Sequence, residues 1–324
     1  MVRLIALAAL ALGASLQLIG GAAAQQMFPT RTVRFILPFG AGSASDTTAR
    51  LFAERLSARW GSKPVVVENR PGGDGLVSLD AFVGAHEDHT MWFGPAGTFN
   101  VLPYQHDTLP FDPKRDLNPI ASVSEVVLAV STPLSMNVNT IDELVAMARA
   151  QPGKLIAAAA NGISDFLLFG FFKSMALQIV RVPYRDIMQA PSDLAESRIQ
   201  VLSTSLAVVQ PLSKAGRIKV LTVTSRQRAP SAPDVPTAAE AGYPALTFES
   251  IGGVFGPRDM ADKLRESIAA DFQKIAEDPI IAKRLGDTGQ IMSVLGPAQF
   301  GARVQEQRDK LARLAKTLGV KAAQ

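Results

Sequence analysis

Residues 38–46, which read PFGAGSASD, are the most informative segment of this chain. They follow an apolar run that ends at Leu37 and lead into a helical pattern that begins at Asp46. The two glycines allow positive φ angles and close approach of a ligand to the backbone, and Ser45 or Asp46 can cap the helix. Backbone N–H groups at the start of a helix attract anions. The segment therefore predicts a strand, a turn and a helix around an anion site, with a capped turn that binds nothing as the alternative.

Three further glycine-rich turns end predicted strands. They read NRPGGDG at residues 69–75, GPAGT at residues 94–98 and ANGISD at residues 160–165. Short β-rich runs alternate with helical patterns, which predicts an α/β protein with mostly parallel sheets flanked by helices. Ligands of such sheets bind at the carboxyl ends of the strands. Turns of this type in both halves predict a hinged, two-lobed molecule with its ligand between the lobes.

The length of the chain suits two lobes better than one. Residues 108–119 are rich in proline and aspartate and are typical of a connector. Residues 228–236 contain three prolines and return the chain toward the first lobe. We predict that residues 25–124 and 247–324 form lobe 1 and that residues 125–246 form lobe 2, inserted into it.

The first 24 residues have the order of a secretory signal peptide. Arg3 supplies a positive charge, residues 4–19 are almost wholly apolar, and Ala22 and Ala24 are the small residues of a cleavage site before Gln25. A membrane anchor is the alternative, but small and polar residues dilute the apolar run. The pattern predicts an exported protein whose signal peptide is cleaved near Ala24.

The composition excludes several classes of function. The 324 residues contain no cysteine, so disulfides, thiol nucleophiles and thiolate metal sites are absent. The net charge of +4 suits an anionic ligand, yet the basic residues are spread along the sequence. Because no basic run or aromatic-basic alternation occurs, we predict that nucleic acid is not a partner.

The sequence also offers little for catalysis. The three histidines, His86, His89 and His106, lie in predicted surface connections and complete no metal motif. No G-x-S-x-G nucleophile motif occurs. The first loop imitates a dinucleotide-binding fingerprint, with Glu68 in the place of the ribose-binding acid, but Ser45 replaces the third glycine. We predict no catalytic residue, no metal site and no cofactor.

Several segments together resemble the Bug (tripartite tricarboxylate transporter) periplasmic solute-binding protein family. Behind the signal peptide, they cover nearly the whole chain in the order of the family, although each is weak alone. They are RFILPFGAG at 34–42, VVENRPGG at 66–73, LPFDP at 109–113, VPY at 182–184, LTVTS at 221–225, PDVPT at 233–237 and EAGYP at 240–244.

The resemblance implies a periplasmic protein with a Venus flytrap fold, which captures a small organic carboxylate for the integral-membrane permease subunits of a transporter. We expect a monomer, because such a carrier must dock and release. A membrane sensor in place of the permease, or a periplasmic enzyme, are the alternatives. In this family the carboxylate is typically held by backbone amides of the first loop, with the second-lobe loop on the other side. Carried over to this chain, the ligand-binding residues are Phe39, Ala41, Gly42 and Ser43 in lobe 1, and Asn161, Gly162, Ser164 and Tyr184 in lobe 2.

The chain departs from the family pattern at four places, which read SAS at 43–45, DFLL at 165–168, RD at 185–186 and STS at 203–205. Asp165 could select an amino or hydroxyl group of the ligand, or it could be an acid stabilised at the helix N-terminus. Arg185 could contact a second carboxylate, or it could form a surface ion pair with Asp186 or Glu196. These departures predict an atypical ligand.

Overall fold

The structure is a computed structural model that describes residues 28–61, 63–160, 162–184 and 187–322. The predicted signal peptide and its cleavage site near Ala24 lie outside the described residues. Within the described part, no helix has the length and apolar character that are needed to cross a membrane.

The strands and helices alternate along the chain, as the sequence predicts. The strands are β1 Val33–Leu37, β2 Val65–Asn69, β3 Thr90–Pro95, β4 Leu117–Val126, β5 Leu128–Pro133, β6 Ile156–Ala159, β7 Val180–Arg181, β8 Val201–Ser205, β9 Ile218–Val223, β10 Ser250–Pro257 and β11 Gln290–Met292. The helices are α1 Ala44–Arg59, α2 Leu76–Val83, α3 Ala96–Val101, α4 Ile141–Ala150, α5 Ile163–Ser174, α6 Ala190–Ala195, α7 Leu206–Lys214, α8 Asp262–Ala276, α9 Pro279–Asp287 and α10 Pro297–Leu318.

The strands form two sheets. The first has the order β11-β4-β10-β3-β1-β2, and the second has the order β7-β6-β8-β5-β9. Over the described ranges, four of the six strands of the first sheet point the same way, and β10 and β11 run opposite to them. Four of the five strands of the second sheet point the same way, and β5 runs opposite to them. The predicted α/β class with two mostly parallel sheets is therefore confirmed.

The chain crosses between the sheets at two main places. It leaves the first sheet at the end of β4, and β5 begins after the single residue Val127. It returns between β9 and β10, where Thr224 donates its N–H to Leu128 and Phe248 donates its N–H to Thr224. All strands of the second sheet thus lie between two parts of the first, although the domain limits at 124/125 and 246/247 stay a prediction.

An ion-pair network surrounds this crossing region. Glu249 contacts Arg226 at 3.0 Å and Arg303 at 2.9 Å, and Arg303 also reaches Glu125 at 3.4 Å. Burial raises the pKa of Glu125 above its ordinary value, and the negative charge of Glu249 raises it further. Arg303 and Arg226 lower it in part. The network links residues that follow β9 and precede β10 to the last helix.

Helix α10 connects the cores of the two lobes. Phe300, near its start, packs on Phe255 with the ring centroids 4.9 Å apart. Further along the helix, Leu311 and Ala315 are buried in the core that surrounds the second sheet. Each large side chain buried in this way contributes about 1.5–3 kcal/mol to the free energy of unfolding. The two lobes therefore share a helix as well as two chain crossings.

Two neighbouring glycines of β10 give a test of this packing. A methyl group on Gly253 would overlap the carbonyl oxygen of Ala121 and lie 2.6 Å from Cζ of Phe300. Backbone cannot move aside easily, so we expect Gly253→Ala to lower the free energy of unfolding by about 3 kcal/mol. A methyl group on Gly252 would lie 3.5 Å from the oxygen of Ser124, an ordinary contact.

Gly252→Ala is therefore the matched control, with an expected loss below about 1 kcal/mol. Chemical unfolding of the two variants beside the wild-type protein measures both values. Equal losses in the two variants would contradict this account of the packing between β10 and α10.

Candidate functional site

The four glycine-rich turns lie at the carboxyl ends of β1, β2 and β3 in the first sheet and of β6 in the second. The region between the turns of the two sheets is called the cleft. Counted outward from the crossing strands, the order is β3, β1, β2 in the first sheet and β8, β6, β7 in the second. The turns after β3 and β6 already meet, since a methyl group on Gly97 would lie 3.5 Å from Cβ of Ile163. The rings of Tyr104 and Phe166 stack nearby, with centroids 5.7 Å apart. The candidate site lies between the carboxyl ends of the two sheets, beside this contact.

Asp46 organises the first loop from within. Its side chain is 3 % exposed, and it accepts the N–H of Gly42 at 2.9 Å, an amide hydrogen of Asn69 at 2.9 Å and the Nε hydrogen of Arg50 at 3.1 Å. Burial disfavours the charged carboxylate, but these bonds outweigh it and hold the pKa of Asp46 below its ordinary value. The ionised side chain therefore fixes the course of the loop.

Of the four predicted residues of the first loop, two have N–H groups that are bonded within the protein and two do not. Ser43 caps α1 by accepting the N–H of Asp46, and its own N–H bonds to the oxygen of Gly40. The N–H of Gly42 is taken by Asp46, and the φ angle of Gly42 is +83°. For Phe39 and Ala41, by contrast, no bond to their N–H groups is found among the described residues. These two amides remain available to an anion in the cleft.

Asn69 adds a second restraint that the sequence did not reveal. It ends β2, and its side-chain amide donates to the carbonyl oxygen of Phe39 at 2.8 Å as well as to Asp46. The carbonyl of Phe39 is thus bonded to the neighbouring strand end. The ring of Phe39 is 37 % exposed, and exposed aromatic surface beside free amides suits a ligand with an apolar body.

On the other side of the cleft, helix α5 begins at the second-lobe turn. Gly162 precedes it with a φ angle of +83°, and Ser164 in its first turn is 2 % exposed. Asn161, the other residue predicted here, lies outside the described residues. The first turn of a helix carries N–H groups that lack intrahelical partners and attract negative charge.

Asp165 also lies in the first turn of α5 and is 15 % exposed. Its carboxylate contacts the guanidinium of Arg181 at 2.8 Å, and Arg181 lies 5.3 Å from the ring centroid of Phe169. Burial raises the pKa of Asp165, while Arg181 opposes this shift. The sequence missed Arg181, because its contact with Asp165 depends on how β7 lies against α5. Arg185 and Asp186 lie outside the described residues.

Tyr184 and the end of β8 complete the second-lobe side. The hydroxyl group of Tyr184 donates to Asp193 in α6 at 2.6 Å, and burial together with this bond raises its pKa to about 12. Ser205, at the end of β8, has a buried hydroxyl oxygen without a partner in the described ranges. Ser203 accepts the N–H of Ala160 and so ties β8 to the second-lobe turn. Tyr184 thus bonds to α6, and Ser205 is a polar group at the carboxyl end of β8 that the sequence left unassigned.

A cavity of about 500 Å³ lies at the far end of the first sheet, beside residues 86–88 and Arg258, where β3 begins and β10 ends. No group of three or more histidine, aspartate or glutamate side chains that could hold a metal ion is found among the described residues.

Solved structures with the same arrangement include ligand-binding proteins. A Rhodopseudomonas palustris protein, Rpa4515 with adipate, is 27% identical with a TM-score of 0.80, over 91% of this chain and 99% of that one. The periplasmic binding protein BugD is 24% identical with a TM-score of 0.77, over 91% and 99% of the two chains. MatC from Rhodopseudomonas palustris, with bound malate, is 24% identical with a TM-score of 0.75, over 90% and 99%. The two-lobed, periplasmic-binding-protein fold is thereby confirmed.

Sequence relatives lead to the same family. A protein of Bordetella bronchiseptica is 29% identical over 301 residues, which cover 93% of this chain and 89% of the relative. BugT of Bordetella pertussis is 24% identical over 302 residues, which cover 91% of both chains. The family model described as "Tripartite tricarboxylate transporter family receptor" matches residues 48–320. The chain therefore belongs to this family of solute-binding proteins, as its resemblance to the Bug proteins predicted.

Proposed function

We propose that this protein is exported to the periplasm, where it captures a small organic carboxylate between its two lobes and delivers it to the permease subunits of a tripartite tricarboxylate-type transporter. The observation that carries the proposal is the pair of unbonded N–H groups, of Phe39 and Ala41, at the carboxyl end of β1. In this proposal the first turn of α5 supplies the donors of the second lobe. Two sets of N–H donors on opposite lobes can hold one anion.

Carboxylate recognition requires little side-chain charge in this arrangement. Hydrogen bonds from backbone N–H groups to a charged oxygen stabilise binding by about 1.5–3 kcal/mol each. Asp46 and Asn69 hold the loop before the ligand arrives, so less conformational entropy is lost on binding. The ligand-binding residues in this proposal are Phe39, Ala41, Gly42 and Ser43 in lobe 1, with Asn161, Gly162, Ser164 and Tyr184 in lobe 2.

The role of a receptor follows from the two-lobed shape. A ligand that contacts both lobes stabilises the closed form, and the closed form is what a permease can distinguish from the empty protein. Such a carrier acts as a monomer, needs no cofactor and returns its ligand unchanged. The relatives with bound adipate and malate support a carboxylate, and the altered second-lobe turn of this chain supports a different member of that class.

A thermal-shift screen tests the proposal. The mature protein is unfolded and refolded to remove carried ligand, and it is then mixed with adipate, malate, other di- and tricarboxylates, aromatic acids, amino acids and NAD. A ligand at a hundredfold excess over its dissociation constant stabilises the native state by about 2.7 kcal/mol. We expect one class of carboxylate to give this shift.

The uncharged amide of each acid that binds is the matched control, and it should give no shift. Proton NMR of the mixture should show the ligand unchanged after long incubation. A folded protein that responds to no acid, or that responds equally to acid and amide, would contradict carboxylate binding.

A further inference from the structure

The outer rim of the cleft, which we call the lip, lies farthest from the crossing strands. It is formed by the turn after β2 in the first lobe and by β7 with the first turn of α5 in the second. Both β2 and β7 are edge strands at corresponding positions of their sheets. The charged side chains of the lip include Arg70 and Asp74 in the first lobe and Asp165 and Arg181 in the second, and Arg70 pairs with Glu68 of its own lobe.

Asp74 is held at the tip of its turn. Its φ angle is +53°, a conformation that non-glycine residues rarely adopt, although aspartate tolerates it better than most. The next residue, Gly75, packs so closely on α3 that a methyl group there would overlap Thr98. Asp74 is exposed, and no ion pair joins it to a cation in the part of the chain that the structure describes. The turn therefore presents an unpaired carboxylate at the lip.

Arg181 is held in place on the opposite lobe. Asp165 binds one end of the guanidinium at 2.8 Å, and the ring of Phe169 supports its face at 5.3 Å. The side chain of Arg181 nevertheless stays 58 % exposed, so its remaining N–H donors are accessible from the cleft. An arginine presents five donors and can serve two carboxylates at once.

The turn of Asp74 and the start of α5 lie on either side of one helix. Helix α3 lies between them, in contact with the turn of Asp74 on one side and with Ile163 of α5 on the other. The negative charge of Asp74 already acts on Asp165 and adds to the effect of burial in raising its pKa. A small further closure of the lobes would bring Asp74 toward the Asp165–Arg181 pair, where the arginine compensates the repulsion between the two acids.

We propose that Asp74 and Arg181 form an ion pair across the lip when the lobes close, with Asp165 and Phe169 as the residues that position Arg181. The inference rests on the proposed function, because it concerns closure around a ligand. The pair includes none of the proposed ligand-binding residues. It therefore sets how long the closed form lasts and leaves the choice of ligand to the loops inside the cleft.

The test measures closure without a ligand, so its outcome does not depend on ligand identity. The chain has no cysteine, so Asp80→Cys in α2 takes a single nitroxide label. The label broadens NMR signals of amides in α5 according to their distance from it. We expect Asp74→Asn and Arg181→Gln each to weaken this broadening, which corresponds to a closed-to-open ratio about two- to fivefold lower, as for other exposed ion pairs.

The double variant decides whether the two residues act on each other. If they pair, Asp74→Asn combined with Arg181→Gln gives little more effect than either change alone, and 1 M salt removes the difference from wild type. Arg70→Gln is the matched control, since Arg70 is an exposed arginine of the same lobe-1 turn that pairs with Glu68. Broadening that is unchanged in both single variants, or effects that simply add, would overturn the proposal.

The design also separates this inference from the proposed function. Suppose that no carboxylate closes the wild-type protein, while each single variant without ligand is more open than the wild type without ligand. The ion pair is then supported and the proposed function is wrong. If a carboxylate closes the wild-type protein and all variants equally, with the same dissociation rate, the function stands and the ion pair fails.

Discussion

Gly42→Val is expected to abolish ligand binding while the protein remains folded. Gly42 has a φ angle of +83°, which a β-branched residue avoids at a cost of about 1–3 kcal/mol. A methyl group there meets nothing within 4 Å, so the cost comes from the backbone and not from crowding. The valine variant relieves this strain by turning the loop, which separates the N–H of residue 42 from Asp46 and moves the N–H of Ala41 out of the cleft. We expect binding at least about a hundredfold weaker, since loss of two such hydrogen bonds costs about 3 kcal/mol.

Gly153→Val is the matched control for this prediction. Gly153 has a φ angle of +72° and open space around it, but it lies in the turn before β6, at the amino end of that strand. Both variants should lose similar stability on chemical unfolding, and only Gly42→Val should lose the thermal shift with a carboxylate. Unaltered affinity in Gly42→Val would refute the assignment of the first loop to the ligand.

Much of the fold was predictable because it depends on local pattern. The alternation of β-rich and helical runs predicts the sheets, and the glycine-rich turns at 38–46, 69–75 and 94–98 do follow β1, β2 and β3. Such turns are readable from sequence because positive φ angles require particular residues over a few positions. The first lobe therefore has the order of elements that its sequence indicates.

The internal bonds of the site were less predictable because their partners are far apart in sequence. The pattern indicates Asp46 only as a helix cap, yet the structure shows that it accepts the N–H of Gly42 and the side chain of Asn69. Tyr184 likewise follows a family motif, but its hydroxyl bonds to Asp193. Contacts of this kind depend on tertiary packing, which a periodic pattern does not encode.

The contact between Asp165 and Arg181 could not be predicted from the sequence either. Its place in the first turn of α5 is as expected, since acids favour that position. Its contact with Arg181 arises because β7 pairs with β6 and brings residue 181 beside the helix. A two-residue strand has too little sequence pattern to predict this pairing.

Asp46→Ala is expected to destabilise the protein and to impair binding together. The change leaves the N–H of Gly42 and the amide of Asn69 without their acceptor, which costs about 2–3 kcal/mol of unfolding free energy. The first loop then loses the restraint that keeps the N–H groups of Phe39 and Ala41 directed into the cleft. We expect a thermal-shift titration to show carboxylate binding at least about tenfold weaker.

Because Asp46 is ionised, the free energy of unfolding depends on pH, and the direction of this dependence follows from the shift in the pKa of Asp46. Bonds from Arg50, Gly42 and Asn69 outweigh burial and keep this pKa below its ordinary value, so the stabilisation is complete above about pH 4, near the pKa of an unfolded aspartate. It is lost as the pH falls through the lower value in the folded protein. The difference in unfolding free energy between wild type and Asp46→Asn should therefore shrink from pH 6 to pH 3.

Arg50→Gln removes the cation that pairs with Asp46 and one hydrogen bond from Arg50 to Oδ1 of Asn69, and it leaves the bonds that Asp46 accepts from Gly42 and Asn69. Arg50 is more than half exposed, so its ion pair with Asp46 contributes about 1 kcal/mol or less. We expect this variant to bind carboxylate as wild type does and to lose little stability. If Arg50→Gln weakens binding as much as Asp46→Ala does, the ion pair is what holds the loop. The bonds that Asp46 accepts from Gly42 and Asn69 would then not be what directs the free amides toward the ligand.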